Sequence, residues 1–145
     1  ITDNMVVNIN QGASGCQEGN GIEVRNMPFD TTGADLNVEI RNNTVMGYQK
    51  NGITANGSIF AIIDGNTIVG AGPVDYIAQN GIQVGFGGRA VVTRNAISGN
   101  DYTPRSFVAC GLLYFDADGV RAHENLFSRN ERQVCNFGRG DGNPF

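Results

Sequence analysis

Val38-Glu39-Ile40-Arg41-Asn42-Asn43-Thr44-Val45, followed shortly by Asn51-Gly52-Ile53, sets a pattern that the rest of the chain repeats. An asparagine stands two residues before an apolar residue. A loop of variable length follows, and then a polar-glycine-apolar triplet. Asn4, Asn43, Asn66, Asn95 and Asn125 fill the first slot, with Val6, Val45, Ile68, Ile97 and Phe127 two residues on. Gly21, Gly52, Gly81, Gly111 and then Asn136 fill the second, followed directly by Ile22, Ile53, Ile82, Leu112 and Phe137. Self-similarity of this length means one supersecondary unit stacked on itself.

Each copy alternates with period two before its asparagine. Val38 and Ile40 flank Glu39, Ala61 and Ile63 flank Ile62, Ala90 and Val92 flank Val91, and Val120 and Ala122 flank Arg121. Ile1 holds the matching core position of the first copy. That alternation is a strand with one buried face. It resumes after each glycine, as in Ile53/Ala55 and Ile82/Val84, so every copy carries at least two short strands separated by corners. Insertions of different lengths fall at 8–20, 26–35, 69–80 and 98–110. Met27-Pro28-Phe29 and turn-rich runs such as Gly12-Ala13-Ser14-Gly15 and Gly70-Ala71-Gly72-Pro73 mark them as loops.

A sandwich or propeller does not hold one residue type at the same corner in every copy, and a left-handed hexapeptide helix keeps a strict six-residue period. A right-handed parallel β-helix, a single-stranded solenoid of about five coils, tolerates loops of any length at its corners while its strands stack in register. In such a solenoid over residues 1–138, the apolar columns point inward. Asn4, Asn43, Asn66, Asn95 and Asn125 become a structural corner whose amides hydrogen-bond along the stack. Residues 139–145 read as a glycine-rich tail.

Ile40-Arg41-Asn42-Asn43-Thr44-Val45, Ile63-Asp64-Gly65-Asn66-Thr67-Ile68 and Thr93-Arg94-Asn95-Ala96-Ile97 resemble the repeats of the pectate-lyase-like superfamily, in particular its secreted right-handed β-helix repeat proteins. The resemblance implies the same fold. It leaves function open among polysaccharide lyases, hydrolases, epimerases, tailspikes, adhesins and surface scaffolds. The calcium-binding acid cluster with a basic residue, the three aspartates with a histidine, and the Asp-Pro-His-Asp motif that superfamily enzymes use have no counterpart here.

The chain carries 21 glycines and 18 asparagines among 145 residues, with a net charge of −4. Lys50 is its single lysine. Ten scattered basic residues are no footprint for nucleic acid or for polybasic membrane docking. The longest apolar run, Ile59-Phe60-Ala61-Ile62-Ile63, is strand-sized and far below a membrane span. Three cysteines in so lysine-poor a chain favour an extracellular or cell-surface setting. The first methionine is Met5, which fits removal of a leader or excision from a longer protein. The strand edges at both ends of a solenoid then make a second copy, or the rest of a longer chain, the expected partner.

Two constellations are candidates for carbohydrate binding. Arg41, Asp64, Thr93 and His123 form an outward row two residues before each asparagine. A cation, a carboxylate and an imidazole on one face suit a sugar acid, and the competing reading is a solvated face with a cross-strand ion pair. Asp75-Tyr76 lies in one loop, and Asp101-Tyr102 with Arg105 in the next. Rings stack on sugar faces and carboxylates accept from hydroxyls, while the competing reading is loop packing. Asp116 and Asp118 are half of a Ca²⁺ loop without its further ligands, so no cofactor is expected beyond that weak site. Asn42-Asn43-Thr44 and Asn56-Gly57-Ser58 are glycosylation sequons in a eukaryotic host. Arg139-Gly140-Asp141 matches a short integrin tripeptide that glycine-rich tails produce by chance.

Cys110 and Cys135 both directly precede the second slot, which puts them one rung apart and within disulfide reach. Cys16 has no evident partner. Two functions remain: an extracellular module with a structural, adhesive or filament-forming role that contacts polysaccharide, and a carbohydrate-active enzyme, whether lyase, hydrolase or depolymerase.

Overall fold

A computed structural model describes residues 1–10, 12, 15–26 and 36–138. The Met27-Pro28-Phe29 insertion, the middle of Gly12-Ala13-Ser14-Gly15, the Arg139-Gly140-Asp141 tripeptide and the 139–145 tail lie outside the described residues. The strands follow one another in turns of three. The first coil holds β1 (Met5–Val7), β2 (Ile22–Asn26) and β3 (Leu36–Arg41). The second holds β4 (Thr44–Met46), β5 (Asn51–Gly57) and β6 (Ile59–Asp64). The third holds β7 (Thr67–Val74), β8 (Asn80–Gly85) and β9 (Arg89–Thr93), and the fourth β10 (Ala96–Tyr102), β11 (Cys110–Phe115) and β12 (Gly119–His123). The last described coil has β13 (Leu126–Ser128) and β14 (Arg132–Phe137).

Every third strand stacks. The first sheet runs β1-β4-β7-β10-β13, the second β2-β5-β8-β11-β14 and the third β3-β6-β9-β12. All pairings are parallel. The registers superpose the columns read from the sequence: Val6, Val45, Ile68, Ile97 and Phe127 align in one, and Ile40, Ile63, Val92 and Ala122 in another. Ile40, Val45, Ile53, Ile63, Ile68, Ile82 and Leu112 are fully buried inside the prism. The all-β, right-handed parallel β-helix is therefore the fold. Ile1, expected in the core, lies level with Ile40 but is half exposed, because no described coil covers it from below.

Left-handed backbone recurs at the described corners between strands. The residue before every ladder asparagine has positive φ: Asp3, Asn42, Gly65, Arg94 and Glu124. Gly57, Phe86 and Asp116 do the same between the second and third sheets. Glycine and asparagine reach that region at least cost, as Gly57, Gly65 and Asn42 do, but Asp3, Phe86, Arg94, Asp116 and Glu124 adopt it too.

The asparagine corner is a directional ladder. The backbone N–H and the Nδ2 of Asn4, Asn43, Asn66 and Asn95 each donate to the Oδ1 of the next, through Asn125, at 2.9–3.0 Å. The Nδ2 groups also reach strand carbonyls in the coil before, as Asn95 does to Ile63 at 2.9 Å. The buried corner leaves few polar atoms orphaned. A second ladder follows the first sheet: Asn100 donates to the Oδ1 of Asn130, and the buried Tyr48 hydroxyl donates to the Oδ1 of Asn100 at 2.5 Å.

The two slots of the repeat touch one another. A Cβ on Gly21, Gly52, Gly81 or Gly111 would collide with Val45, Ile68, Ile97 or Phe127 of the next coil. Glycine stands there because the apolar residue above it fills the space. In the last coil the register corrects the sequence reading. Gln133, not Asn136, lies level with Gly111, and Val134, not Phe137, pairs with Leu112. No described coil follows, so glycine is not required there and the sequence loses its marker.

The disulfide joins Cys110 and Cys135, with Cα atoms 6.0 Å apart, but not from equivalent slots. Cys110 occupies the column of Asn51 and Asn80, whereas Cys135 pairs with Leu113, three residues further on. The chain bends between those columns, as Asn51 shows by donating to Thr54 Oγ1 at 3.0 Å. The bend, not simple stacking, brings the two sulfurs together. Cys16 is free and half-buried.

Candidate functional site

The outward row is in register: Arg41 pairs with Asp64, Asp64 with Thr93 and Thr93 with His123. Asp64 is only 7% exposed. Its carboxylate accepts from Arg41 at 2.6 Å, Thr93 Oγ1 at 2.8 Å and Arg94 at 2.7 Å. Burial opposes the charged form, but the hydrogen bonds from Thr93 and Arg94 and the charges of Arg94 and Arg41 outweigh it and hold the carboxyl below its usual range. Arg94 was not visible as a partner, because only its left-handed corner turns it back onto the row. Arg41 is shared with Glu39 at 3.1 Å. His123 stands apart, exposed and 3.3 Å from Glu124. The row is a cross-strand ion-pair knot with a solvated end.

The loop constellation divides. Tyr76 and Tyr102 enter one groove, of about 760 Å³, over the outward face of the second sheet. Asp101 and Arg105 line another, of about 580 Å³, beside the glycines at 70, 72 and 99. Successive strand residues face opposite sides, so Asp101 and Tyr102 at the end of β10 cannot share a groove. Arg105 lies 3.0 Å from Asp101 and 3.2 Å from Glu131, whose second oxygen accepts the Ala109 N–H at 3.1 Å. It ties the loop to the last coil. Asp75 is exposed and lines neither groove.

The first groove is the better-built site. Its floor is the outer column of the second sheet, with Gln83 beside Leu113 and Phe115 beside Phe137. Phe86, at the next corner, lies 5.3 Å from Phe115, and Phe115 lies 6.3 Å from Phe137, all tilted. Such spacing suits ring-ring contact and makes a row of rings along the coils. Tyr76 comes from the loop after β7 and Tyr102 from the end of β10, and Phe107, 71% exposed, lies in the loop that follows. Among the described residues that line the groove Lys50 is the one charged group, its ammonium donating to the Ala78 carbonyl at 2.9 Å. Desolvation lowers that ammonium to about 8. The phenylalanines and Lys50 escaped the sequence reading because they lie in four different coils, and only the register puts them on one face.

Asp116 and Asp118 sit at the corner after β11. Their backbone groups bond to Phe137, Gly87 and Gly88. Among the described residues no three His, Cys, Asp or Glu side chains converge as metal ligands. Of the two sequons, Asn42 is exposed at its corner while Asn56 is buried. No helix among the described residues is long and apolar enough to cross a membrane.

The chain matches no curated protein and no solved structure. Residues 29–140, which hold all but the opening coil's first two strands and the final residues, match the model of the right handed beta helix region. Sheet order, register and family model agree, and the chain belongs to the right-handed β-helix family.

Proposed function

We propose that the chain is an extracellular β-helix module of the pectate-lyase-like superfamily that contacts polysaccharide through its aromatic groove without cleaving it. The groove carries this reading: Tyr76 and Tyr102 line the same cleft as a tilted row of phenylalanines. Aromatic faces against a few polar groups are what a saccharide chain needs. The disulfide supports the extracellular setting. Against catalysis, the carboxylates of Asp64 and Asp101 are already engaged by arginines. Titration with neutral and acidic hexasaccharides, followed by calorimetry, tests the proposal. Binding that Tyr102→Ala weakens supports it, and no heat with any saccharide overturns it. The alternative, a lyase or hydrolase, requires new unsaturated products or reducing ends that vanish in a Tyr102→Phe, Asp75→Asn double variant.

A filament-forming role is a second reading, favoured by the ladder's direction. Every rung donates the same way, so the Oδ1 of Asn4 and the backbone N–H of Asn125 form no ladder bond among the described residues. Met5 and Leu126, 73% and 74% exposed, cap the same outward column. Head-to-tail stacking of copies would join donor to acceptor. Light scattering that finds only monomers at high concentration removes this reading.

A further inference from the structure

The carbohydrate reading uses the rings of the groove and leaves Lys50 without a role. The backbone fixes this residue from both sides: its N–H donates to the Gly19 carbonyl at 3.2 Å, and its carbonyl accepts from the Asn80 N–H at 2.9 Å. The side chain lines the groove together with Ile77, Leu113, Phe115 and Phe137. Its nitrogen has one acceptor among the described residues, the Ala78 carbonyl at 2.9 Å. No described Asp, Glu, Arg or His lines the cleft, where Tyr76 and Tyr102 are the other titratable groups. Glu18, in the loop that holds the Lys50 N–H, is engaged by Arg25 at 3.7 Å. An ammonium between apolar walls and without an anion is costly, and the neutral amine that replaces it is a nucleophile. Lys50 is also the chain's single lysine, so no other side chain offers that chemistry.

We propose that Lys50 is a carbonyl-capture site, where its amine forms a reversible imine with an aryl aldehyde whose ring lies along the phenylalanines of the groove. This does not rest on the carbohydrate reading. The cavity, about 760 Å³, has the size of a small-molecule site. Phe115 and Phe137, already tilted against one another, accept a further ring in the same manner. The chemistry needs no oxidant and no second catalytic residue. The ammonium first releases a proton to water. The amine lone pair then adds to the carbonyl carbon, and the oxygen takes a proton, giving a carbinolamine. Loss of that hydroxyl and of the remaining N–H proton as one water leaves the C=N bond. One amine and one aldehyde thus give one imine and one water, and hydrolysis runs the steps backward. Desolvation holds the ammonium at about 8 instead of 10.5. About a tenth of it is therefore neutral at pH 7, roughly three-hundredfold more than in an ordinary lysine.

Incubation of the unaltered protein with benzaldehyde and cyanoborohydride, which traps the imine as a secondary amine, tests the proposal. Intact mass and peptide mapping locate the added benzyl group, and a short lysine peptide in the same tube sets the reference rate. At pH 7 Lys50 reacts roughly tenfold faster than the peptide, its larger neutral fraction being partly offset by the weaker basicity of the amine. That advantage is gone by about pH 9, where Lys50 is already neutral and the peptide is still gaining neutral amine. With butanal, measured against the same peptide, the advantage at pH 7 is about fivefold smaller. Lys50→Arg leaves only the amine at Ile1 labelled. Tyr102→Ala keeps the lysine and lowers the preference for benzaldehyde toward that for butanal. Labelling of Lys50 at the peptide's rate overturns the proposal, as does labelling that appears only in urea, which would mean that the groove gives no access. An advantage that does not change between pH 7 and pH 9 overturns it too, by removing the desolvated amine as the cause. Equal advantages for benzaldehyde and butanal overturn the assignment to aryl aldehydes.

Discussion

Asn66 gives both its backbone N–H and its Nδ2 to the Oδ1 of Asn95, each across 2.9 Å, in a corner from which water is excluded. The same side chain accepts the two donors of Asn43 and bonds the Ile40 carbonyl at 2.9 Å. Asn66→Ala orphans groups in three coils at once. At about 1–3 kcal/mol for each buried group left unsatisfied, partly relieved by relaxation, we predict a loss of about 4 kcal/mol. Asn4→Ala, at the exposed end of the ladder, costs under about 1 kcal/mol by the same measure. Urea denaturation of both variants checks the contrast, and equal losses would show that the ladder carries no cooperative weight.

Asp64 makes the third sheet sensitive to acid. Its carboxyl is held below the ordinary 3.8, so its contribution is complete above that value and drains away as pH falls through the folded value. We predict that Asp64→Asn destabilises the protein at pH 7 and flattens the acid limb of the stability curve. Melting temperatures measured from pH 2 to pH 7 decide it. Parallel curves for the two proteins would mean that Arg41 and Arg94 merely neighbour the carboxylate.

Lys50 bears on stability with the opposite sign. Its folded value, about 8, lies below the ordinary 10.5, so the folded protein holds fewer protons than the unfolded chain between those limits. Stability rises across that window, and the cost of burying the cation is fullest below it. Lys50→Met is predicted to be more stable by about 2 kcal/mol at pH 7, with the difference closing by about pH 10.5. A residue that weakens its own fold while facing a cleft is best understood as serving what enters the cleft.

Gly81 has no space for a side chain: a Cβ would meet the Ile97 methyl and lie 2.5 Å from the Gly111 carbonyl oxygen. Gly81→Ala is predicted to cost about 1–3 kcal/mol through overpacking. Gly119, with open space around the same position, tolerates alanine within about 0.5 kcal/mol. Thermal melts of the pair provide the check.

Reduction of Cys110–Cys135 releases the last coil. The bridge spans 25 residues, for which chain entropy predicts a loss of about 3 kcal/mol. Hydrogen exchange with and without reductant should show the loss concentrated in β14 and the groove wall around Phe137. Uniform loss along the rod would argue that the coils unfold as one unit.

The inward half of this molecule was legible because burial imposes a column. Val45, Ile68 and Ile97 must match one another, and the spacing from each to its asparagine does not vary. The corner glycines were legible for the same reason, although the contact that demands them, Gly52 under Ile68, appears only when coils are stacked. The outward half has no such rule. Arg94 joins Asp64 by a backbone turn that leaves no sequence mark, and Asp101 parts from Tyr102 because neighbours on a strand diverge. Phe86, Phe115 and Phe137 are separated by loops of unequal length. The misreading of Asn136 has a related origin, for the last coil has nothing above it to enforce a glycine.

The ladder also makes the coil an interchangeable unit. Each asparagine needs only an Oδ1 above and donors below, whatever the length of chain between them, and the steps of 39, 23, 29 and 30 residues already show that indifference. Excising residues 66–94 would set Asn95 directly after the left-handed Gly65, let Asn43 donate to it, and shorten the rod by one rung of about 4.8 Å. The scaffold would survive with Tyr76, Gln83 and Phe86 gone. Length and recognition are thus written separately in this chain, one in the number of rungs and the other in what a given rung displays.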